Sequence, residues 1–268
     1  MNRMAASLAE AMPLKRLRPF VHKARVKTPL QPQLPLLMDP LPASPATVAP
    51  PTICWRRSAR ARRISLRIDA RLGHVVITLP KRAAKSAGMA LLNDHAAWVA
   101  ARLAALPDKV RFEPGASVTI DGTPHVIRHA QGGRGGAWIE DGAVHVSGAP
   151  EFMARRVNDF LRAEARRRFA VQALAKARLA GVAPRRVVVK DTRTRWGSCS
   201  PDGVLMFCWR LVMAPPFVQD YVVAHEVAHL RHLNHGAQFW TLCESLSRDR
   251  ARAEAWLHSE GAGLLRTG

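Results

Sequence analysis

The sequence predicts an α+β fold, and three observations predict it. Two runs with strand character, Ile64–Asp69 and His74–Leu79, flank Gly73 and read as a β-hairpin. Short strands recur around 117–120, 125–129, 138–140 and 143–146. Between and after them lie stretches with helical spacing: Ala83–Leu106, the long basic segment Glu151–Leu179, the segment after Pro215-Pro216, and Ala251–Leu264.

In chain order, residues 1–53 read as a leader. Ten of the 19 prolines fall within residues 1–51, and proline removes amide donors from a stretch that shows no apolar period. Its basic opening, through Lys27, has the composition of an organelle transit peptide, but a flexible basic leader is the reading adopted. Residues 54–148 are expected to form an N-terminal β-rich subdomain of hairpin and helix, starting at Trp55. The Gly-rich Gln131–Gly136 lacks the strand–turn–helix setting of a phosphate cradle and reads as a hairpin tip. Residues 149–268 are expected to carry the chemistry. The long helix shows Phe152, Val157, Phe160, Leu161, Phe169 and Leu174 as its apolar side and stops at Gly181 and Pro184. Strands Val187–Val189 and Val204–Val212 follow, the second after a turn at Pro201-Asp202-Gly203.

With 268 residues the chain is long enough to bury a substantial core. Its 41 Lys and Arg against 20 Asp and Glu give a formal charge of +21, which favours polyanions such as nucleic acid as partners through a basic surface. A merely solvated basic surface explains the charge equally well, and neither zinc-finger spacing nor an aromatic RNA-binding pattern is present. The four cysteines, Cys54, Cys199, Cys208 and Cys243, form no C-x-x-C pair, so neither a redox motif nor a cysteine-rich zinc site is suggested. With no secretory segment and no apolar run long enough to cross a bilayer, a cytoplasmic protein without membrane contact is expected.

The chemistry concentrates in His225-Glu226-Val227-Ala228-His229, an H-E-x-x-H sequence. Residues four apart share one helix face about one turn apart, so both imidazoles can reach one ion. Glu226 then projects beside the ion, where it can polarise a water without being a ligand. His232 returns to the same face but lies about 10 Å further along the axis, too far for the same ion. His235 fits only if the helix ends and the chain turns back, for which Asn234 and Gly236 supply residues that tolerate a left-handed backbone. His235 is thus the better third ligand, with Glu244 on the next helix as the fallback. The spacing matches H-E-x-x-H-x-x-G-x-x-H except that His232 replaces the glycine, and no methionine follows, which argues against a metzincin.

Several separated motifs then resemble one family. Arg195-Trp196-Gly197-Ser198-Cys199, Tyr221 through His229, Asn234-His235-Gly236 and Phe239-Trp240 stand in the order found in YgjP-like metallopeptidases, relatives of the SprT-like proteases. The likeness extends from about Trp55 to Ala253. It implies a zincin-like core, zinc on His225, His229 and His235, Glu226 as general base, and a protein or peptide substrate. Tyr221, Arg193 and Arg195 are candidates for stabilising the oxyanion, although packing explains each of them as readily. Trp196, Phe239, Trp240 and Cys199 read as structural. The alternatives are a nucleic-acid-associated protein with a structural zinc site and a peptidase recruited to DNA-bound substrates.

Overall fold

The computed structural model describes residues 50–131 and 136–268. The leader therefore lies outside the described residues except for its last four, and so does most of the Gln131–Gly136 tip. The described chain is α+β and divides into two compact units, residues 50–106 and residues 107–268.

In the first unit, β2 (Ser65–Asp69) and β3 (His74–Pro80) form the expected antiparallel hairpin, with Leu66 opposite Ile77. A strand not foreseen from the sequence, β1 (Ile53–Ser58), adds to the other side of β3 in parallel. Its two central arginines obscure the alternation that marks a half-buried strand. The alanine-rich stretch is two helices, α1 (Lys85–Asp94) and α2 (Ala96–Ala104), broken at His95. Val75, Ile77 and Leu79 from β3 pack with Leu92 and Val99 from the helices to make this unit's own core.

The second unit contains two sheets and four helices among the described residues. One sheet has the order β4 (Ser117–Ile120), β5 (Thr123–Ala130), β7 (Ala143–Ser147), β6 (Gly136–Glu140). The other has the order β8 (Arg186–Lys190), β10 (Val204–Cys208), β9 (Gly197–Cys199), with β9 an antiparallel edge strand. Helix α3 (Met153–Leu179) packs its buried face between them. That face runs Met153, Val157, Leu161, Ala165, Phe169, Ala173 and Ala177, a four-residue repeat. Phe152 and Leu174, expected on the apolar side, are instead exposed. Small alanines at the contact let α3 approach its neighbours closely, and apolarity alone does not reveal them among so many other alanines. The long strand expected over Val204–Val212 ends at Cys208 and continues as a 3-10 turn, Trp209–Met213.

The expected division at 148/149 runs through this second unit. Val118, Ile120, Ile127, Val144 and Val146 of the four-stranded sheet share one core with α3 and with α4 (Pro216–Ala228). The join is specific. The β4–β5 hairpin closes through Asp121-Gly122, both with positive φ (52° and 74°), the conformation of a two-residue hairpin turn. Their amides donate to the carbonyls of Val212 (3.0 Å) and Met213 (3.2 Å), just before α4 begins. A Cβ on Gly122 would stand 3.1 Å from Pro215, so only glycine lets the turn approach this closely. The buried Gln219 amide donates to Asp121 Oδ1 (2.9 Å) and to Ala214 O (2.7 Å), which locks the first turn of α4 to the hairpin. Helices α5 (Ala237–Leu246) and α6 (Arg250–Leu265) complete the unit. Among the described residues no helix is long and apolar enough to cross a membrane.

Candidate metal centre

Helix α4 starts with Pro216 in its first turn, where the missing amide costs no helical hydrogen bond. Its Val218, Val222, Val223, Ala224, Val227 and Ala228 are buried, so the helix is enclosed on nearly every side. It ends at Ala228, with His229 as its C-cap. The chain then turns through Leu230 N to Val227 O (3.0 Å) and His232 N to Ala228 O (2.9 Å). Neither Asn234 nor Gly236 takes a left-handed backbone; Gly236 is extended, at φ −75° and ψ 179°. The stop foreseen near Asn234 and Gly236 thus comes six residues or so earlier, through a hydrogen-bonded turn at the C-cap.

This turn brings His235 back over α4. The ligand-capable atoms of His225, His229 and His235 lie within 4.8 Å of one another. His225 Nε2 and His235 Nε2 are 3.2 Å apart. Two nitrogens on a tetrahedral ion with bonds of about 2.0–2.1 Å stand roughly 3.3 Å apart, so the spacing suits a shared ion. His229 donates from Nδ1 to the His232 carbonyl (3.0 Å). Its Nε2 is buried without a partner, and an orphaned buried nitrogen is costly unless something fills its lone pair. Donor type, spacing and the orphaned nitrogen all fit a divalent metal. His232 enters only through its backbone carbonyl, and Glu244 is exposed and paired with Arg250 (3.3 Å), outside the cluster.

The rings are held by packing. Phe239, fully buried, has its ring centroid 5.0 Å from His225, 4.5 Å from His229 and 4.6 Å from His235. Trp240 stacks on His235 at 5.4 Å and 28°. Burial, then the neighbouring imidazoles and Arg250, brings His225 down to about 3. Burial likewise lowers His229 to about 4, against the pull of the His232 carbonyl. His235 is lowered by burial and then by Arg250. All three are therefore neutral near pH 7, the form a metal requires.

Glu226, buried on α4 directly after His225, sets its carboxyl against β9. A Cβ on Gly197 would stand 2.6 Å from Glu226 Oε1, so the glycine makes the room the carboxyl occupies. Burial pushes Glu226 up to about 8, opposed by the charge of Arg195 and by the Cys199 backbone N–H. Its Oε2 is buried with no partner.

A family model described as YgjP-like, metallopeptidase domain, matches residues 62–260. The chain belongs to the YgjP-like metallopeptidase family. No curated protein and no solved structure matches it. The match to this YgjP-like domain starts just before β2 and runs into α6, so it spans the histidine cluster and the elements that back it. A metallopeptidase domain implies a metal, and among the described residues the three histidines are the group of His, Cys, Asp or Glu able to hold one.

Sequence reasoning named the histidines and Glu226 but missed what holds them. Gly197 and Cys199 stood inside a motif noted for its order along the chain; the small residue directly across from an acid was the available signal. Tyr221, a candidate oxyanion group, points elsewhere: its hydroxyl donates to Glu254 Oε1 (2.5 Å) and lies 3.5 Å from His225 Nδ1. Cys199 is no nucleophile, since burial, then Glu226 and Asp202, raise its thiol to about 11. The four cysteines are free thiols.

Proposed function

We propose that the protein is a zinc-dependent metallopeptidase with a zincin-like core, hydrolysing peptide bonds at the centre formed by His225, His229, His235 and Glu226. One observation carries this reading: three neutral histidines converge on one point, and the residue that follows the first of them, Glu226, is a buried glutamate whose Oε2 has no partner. The zinc supplies Lewis-acid polarisation and, when bound, lowers the pKa of a water to about 7. His225 and His235 hold it through Nε2, the atoms that face each other, and His229 through its partnerless Nε2.

Glu226 works on the proton. Burial holds it protonated up to about 8 in the metal-free chain, and it ionises more readily beside a dication. Its Oε2 then accepts a proton from the attacking water as the water oxygen bonds to the scissile carbonyl carbon. The same proton passes from Oε2 to the amide nitrogen as the C–N bond breaks, so water and peptide become acid and amine with Glu226 unchanged. Gly197 leaves the room the carboxyl occupies and the Cys199 amide donates to it, which supports a carboxyl held in one orientation. Tyr221 has committed its hydroxyl proton to Glu254, whereas Arg195 is exposed and its charge acts on Glu226. That supports Arg195 over Tyr221 as the group facing the developing oxyanion.

The test is Glu226→Gln, assayed on an unfolded protein substrate with metal content measured in the same preparation. Turnover is expected to fall by about 10²–10⁴-fold with zinc retained. Activity surviving the substitution contradicts the proton role.

A second reading concerns residues 50–106, which hold eleven Lys and Arg against Asp69 and Asp94. Ser58 pairs with Pro80, so β1 and β3 end side by side. Arg57 joins the two ends by donating to Lys81 O (2.8 Å) and Ala83 O (3.0 Å). The exposed Arg60, Arg62, Arg63 and Arg82 gather at that end, while Asp69 lies at the opposite end of β2. This supports contact with a nucleic-acid backbone, and hence recruitment to substrates bound there. DNA affinity that falls steeply with salt is expected; no binding at moderate ionic strength returns the charge to the solvated surface.

A further inference from the structure

Helix α6 carries none of the expected metal ligands, yet one of its side chains reaches toward two of them. Glu254 Oε1 accepts from the Tyr221 hydroxyl at 2.5 Å and from Arg250 Nε at 3.3 Å. The two contacts lead in different directions. Tyr221 stands one turn before His225 on α4, its oxygen 3.5 Å from His225 Nδ1. Arg250 lies over the Trp240 ring, 3.4 Å from its centroid, and the same indole stacks with the His235 ring, the two planes 28° apart.

We propose that Glu254 is a positioning residue for the metal centre, orienting His225 through Tyr221 and His235 through Arg250 and Trp240. The proposal rests on the reading of the three histidines as metal ligands. The reasoning for His225 is one of proton count. A tyrosine hydroxyl has one proton, and the short contact to a carboxylate places it on the Glu254 side. The phenolic oxygen is then left to accept from His225, which puts the imidazole proton on Nδ1 and frees Nε2, the atom that faces His235. Metal-bound histidines are held in this way by a partner on the other nitrogen, here a tyrosine backed by a carboxylate.

The reasoning for His235 is one of order. His235 lies in the turn between α4 and α5, not on a helix. Its ring stacks on the Trp240 indole, and that indole is in turn in contact with the Arg250 guanidinium. Glu244 holds the same guanidinium at 3.3 Å, and Glu254 completes the pair. Two acids around Arg250 also offset a positive charge that would otherwise act on the cation site. Glu254 therefore ties His225 on α4 and His235 on the turn to one carboxylate in α6, 29 and 19 residues further along the chain.

The experiment measures zinc affinity of the full chain by chelator competition for the wild type, Tyr221→Phe, Glu254→Gln and Glu254→Ala. Alongside, the exchange of the His225 Nδ1 proton is followed by ¹⁵N NMR on the zinc-loaded chain. Glu254→Ala is expected to weaken zinc by about 10–100-fold, the range for removing such an outer partner. Glu254→Gln keeps an acceptor for Tyr221 and loses the charge on Arg250, so it falls between. Tyr221→Phe, which leaves the Arg250 arm intact and serves even if Glu254→Ala fails to fold, exposes the His225 Nδ1 proton to fast exchange. Wild-type affinity in both Glu254→Ala and Tyr221→Phe, or weakened affinity with the Nδ1 proton unchanged, overturns the positioning role. A wild-type chain that binds no zinc overturns the metal reading instead.

Discussion

Helix α4 and the elements behind it divide the work unequally. Within α4 and its C-cap, five consecutive residues carry two histidines and the glutamate of the proposed centre; four-residue spacing puts His225 and His229 on one face, with Glu226 to the side. Strand β9 and helix α6 carry no reactive group, but they decide where those groups point: Gly197 and Cys199 against Glu226, Glu254 against Tyr221 and Arg250. The lesson is that composition of the site is a local property of the sequence, whereas its aim is a property of the packed fold. Substitutions in β9 should therefore lower turnover while leaving metal content alone, and substitutions in α4 should strike the chemistry or the metal itself.

The sharpest way to break this contrast, after Glu226→Gln, is Gly197→Ala. The added methyl would meet Glu226 Oε1 at 2.6 Å and its Cγ at 2.6 Å, so either strand or carboxyl must move. A displacement near 1 Å at a reacting group costs on the order of 10²-fold in rate. We expect that loss in kcat with zinc still bound; wild-type turnover would mean that β9 does not aim the glutamate.

The next largest effect is on stability without metal, measured as the melting midpoint in chelator between pH 4.5 and 8. From 4.5 to 6.5 the unfolded chain binds protons on His225 and His229, whose folded values are about 3 and 4. Over the same range the folded chain keeps one proton on Glu226, whose folded value is about 8 against an ordinary 4.5. The unfolded chain holds the net excess, so stability rises with pH up to 6.5. Between 6.5 and about 8 the unfolded chain gives up its remaining histidine protons, those of His235 included, while the folded chain keeps the one on Glu226, so the folded chain comes to hold the excess and stability falls. These groups predict a maximum near 6.5 in the metal-free chain; a midpoint still climbing at pH 8 contradicts it.

The smallest effect belongs to Arg185→Ala. Arg185 meets Asp202 at 2.9 Å in the turn before β10, with both side chains more than half exposed (71% and 55%). Exposed pairs contribute about 0–1 kcal/mol, so the melting midpoint and turnover should barely move. A large loss of turnover would show that the β9–β10 turn aims the site through more than Gly197.

How much was legible follows the same division. The H-E-x-x-H helix announced itself because four-residue spacing is set by helix geometry alone. The β2–β3 hairpin was legible for the same local reason. His235 could be preferred over His232 by arithmetic on the helical rise, although the stop that delivers it was placed too late. That stop needs no special backbone, only a turn whose hydrogen bonds the sequence does not display. Strand β1 hid behind Arg56 and Arg57, which are exposed although Arg57 pairs with the buried Leu79. Glu254 had no signature at all: one of two acids in a helix of mixed charge becomes meaningful only when packing sets it against Tyr221. The fold class needed little of this; the aim of the site needed all of it.

The proposed three-histidine centre is tested most directly by the zinc content of the purified full chain beside His235→Ala, measured by elemental analysis. With two proposed ligands from α4 and its C-cap and the third from the turn, one zinc per wild-type chain is expected, and its loss on substitution. Full zinc occupancy in His235→Ala would contradict the three-histidine centre.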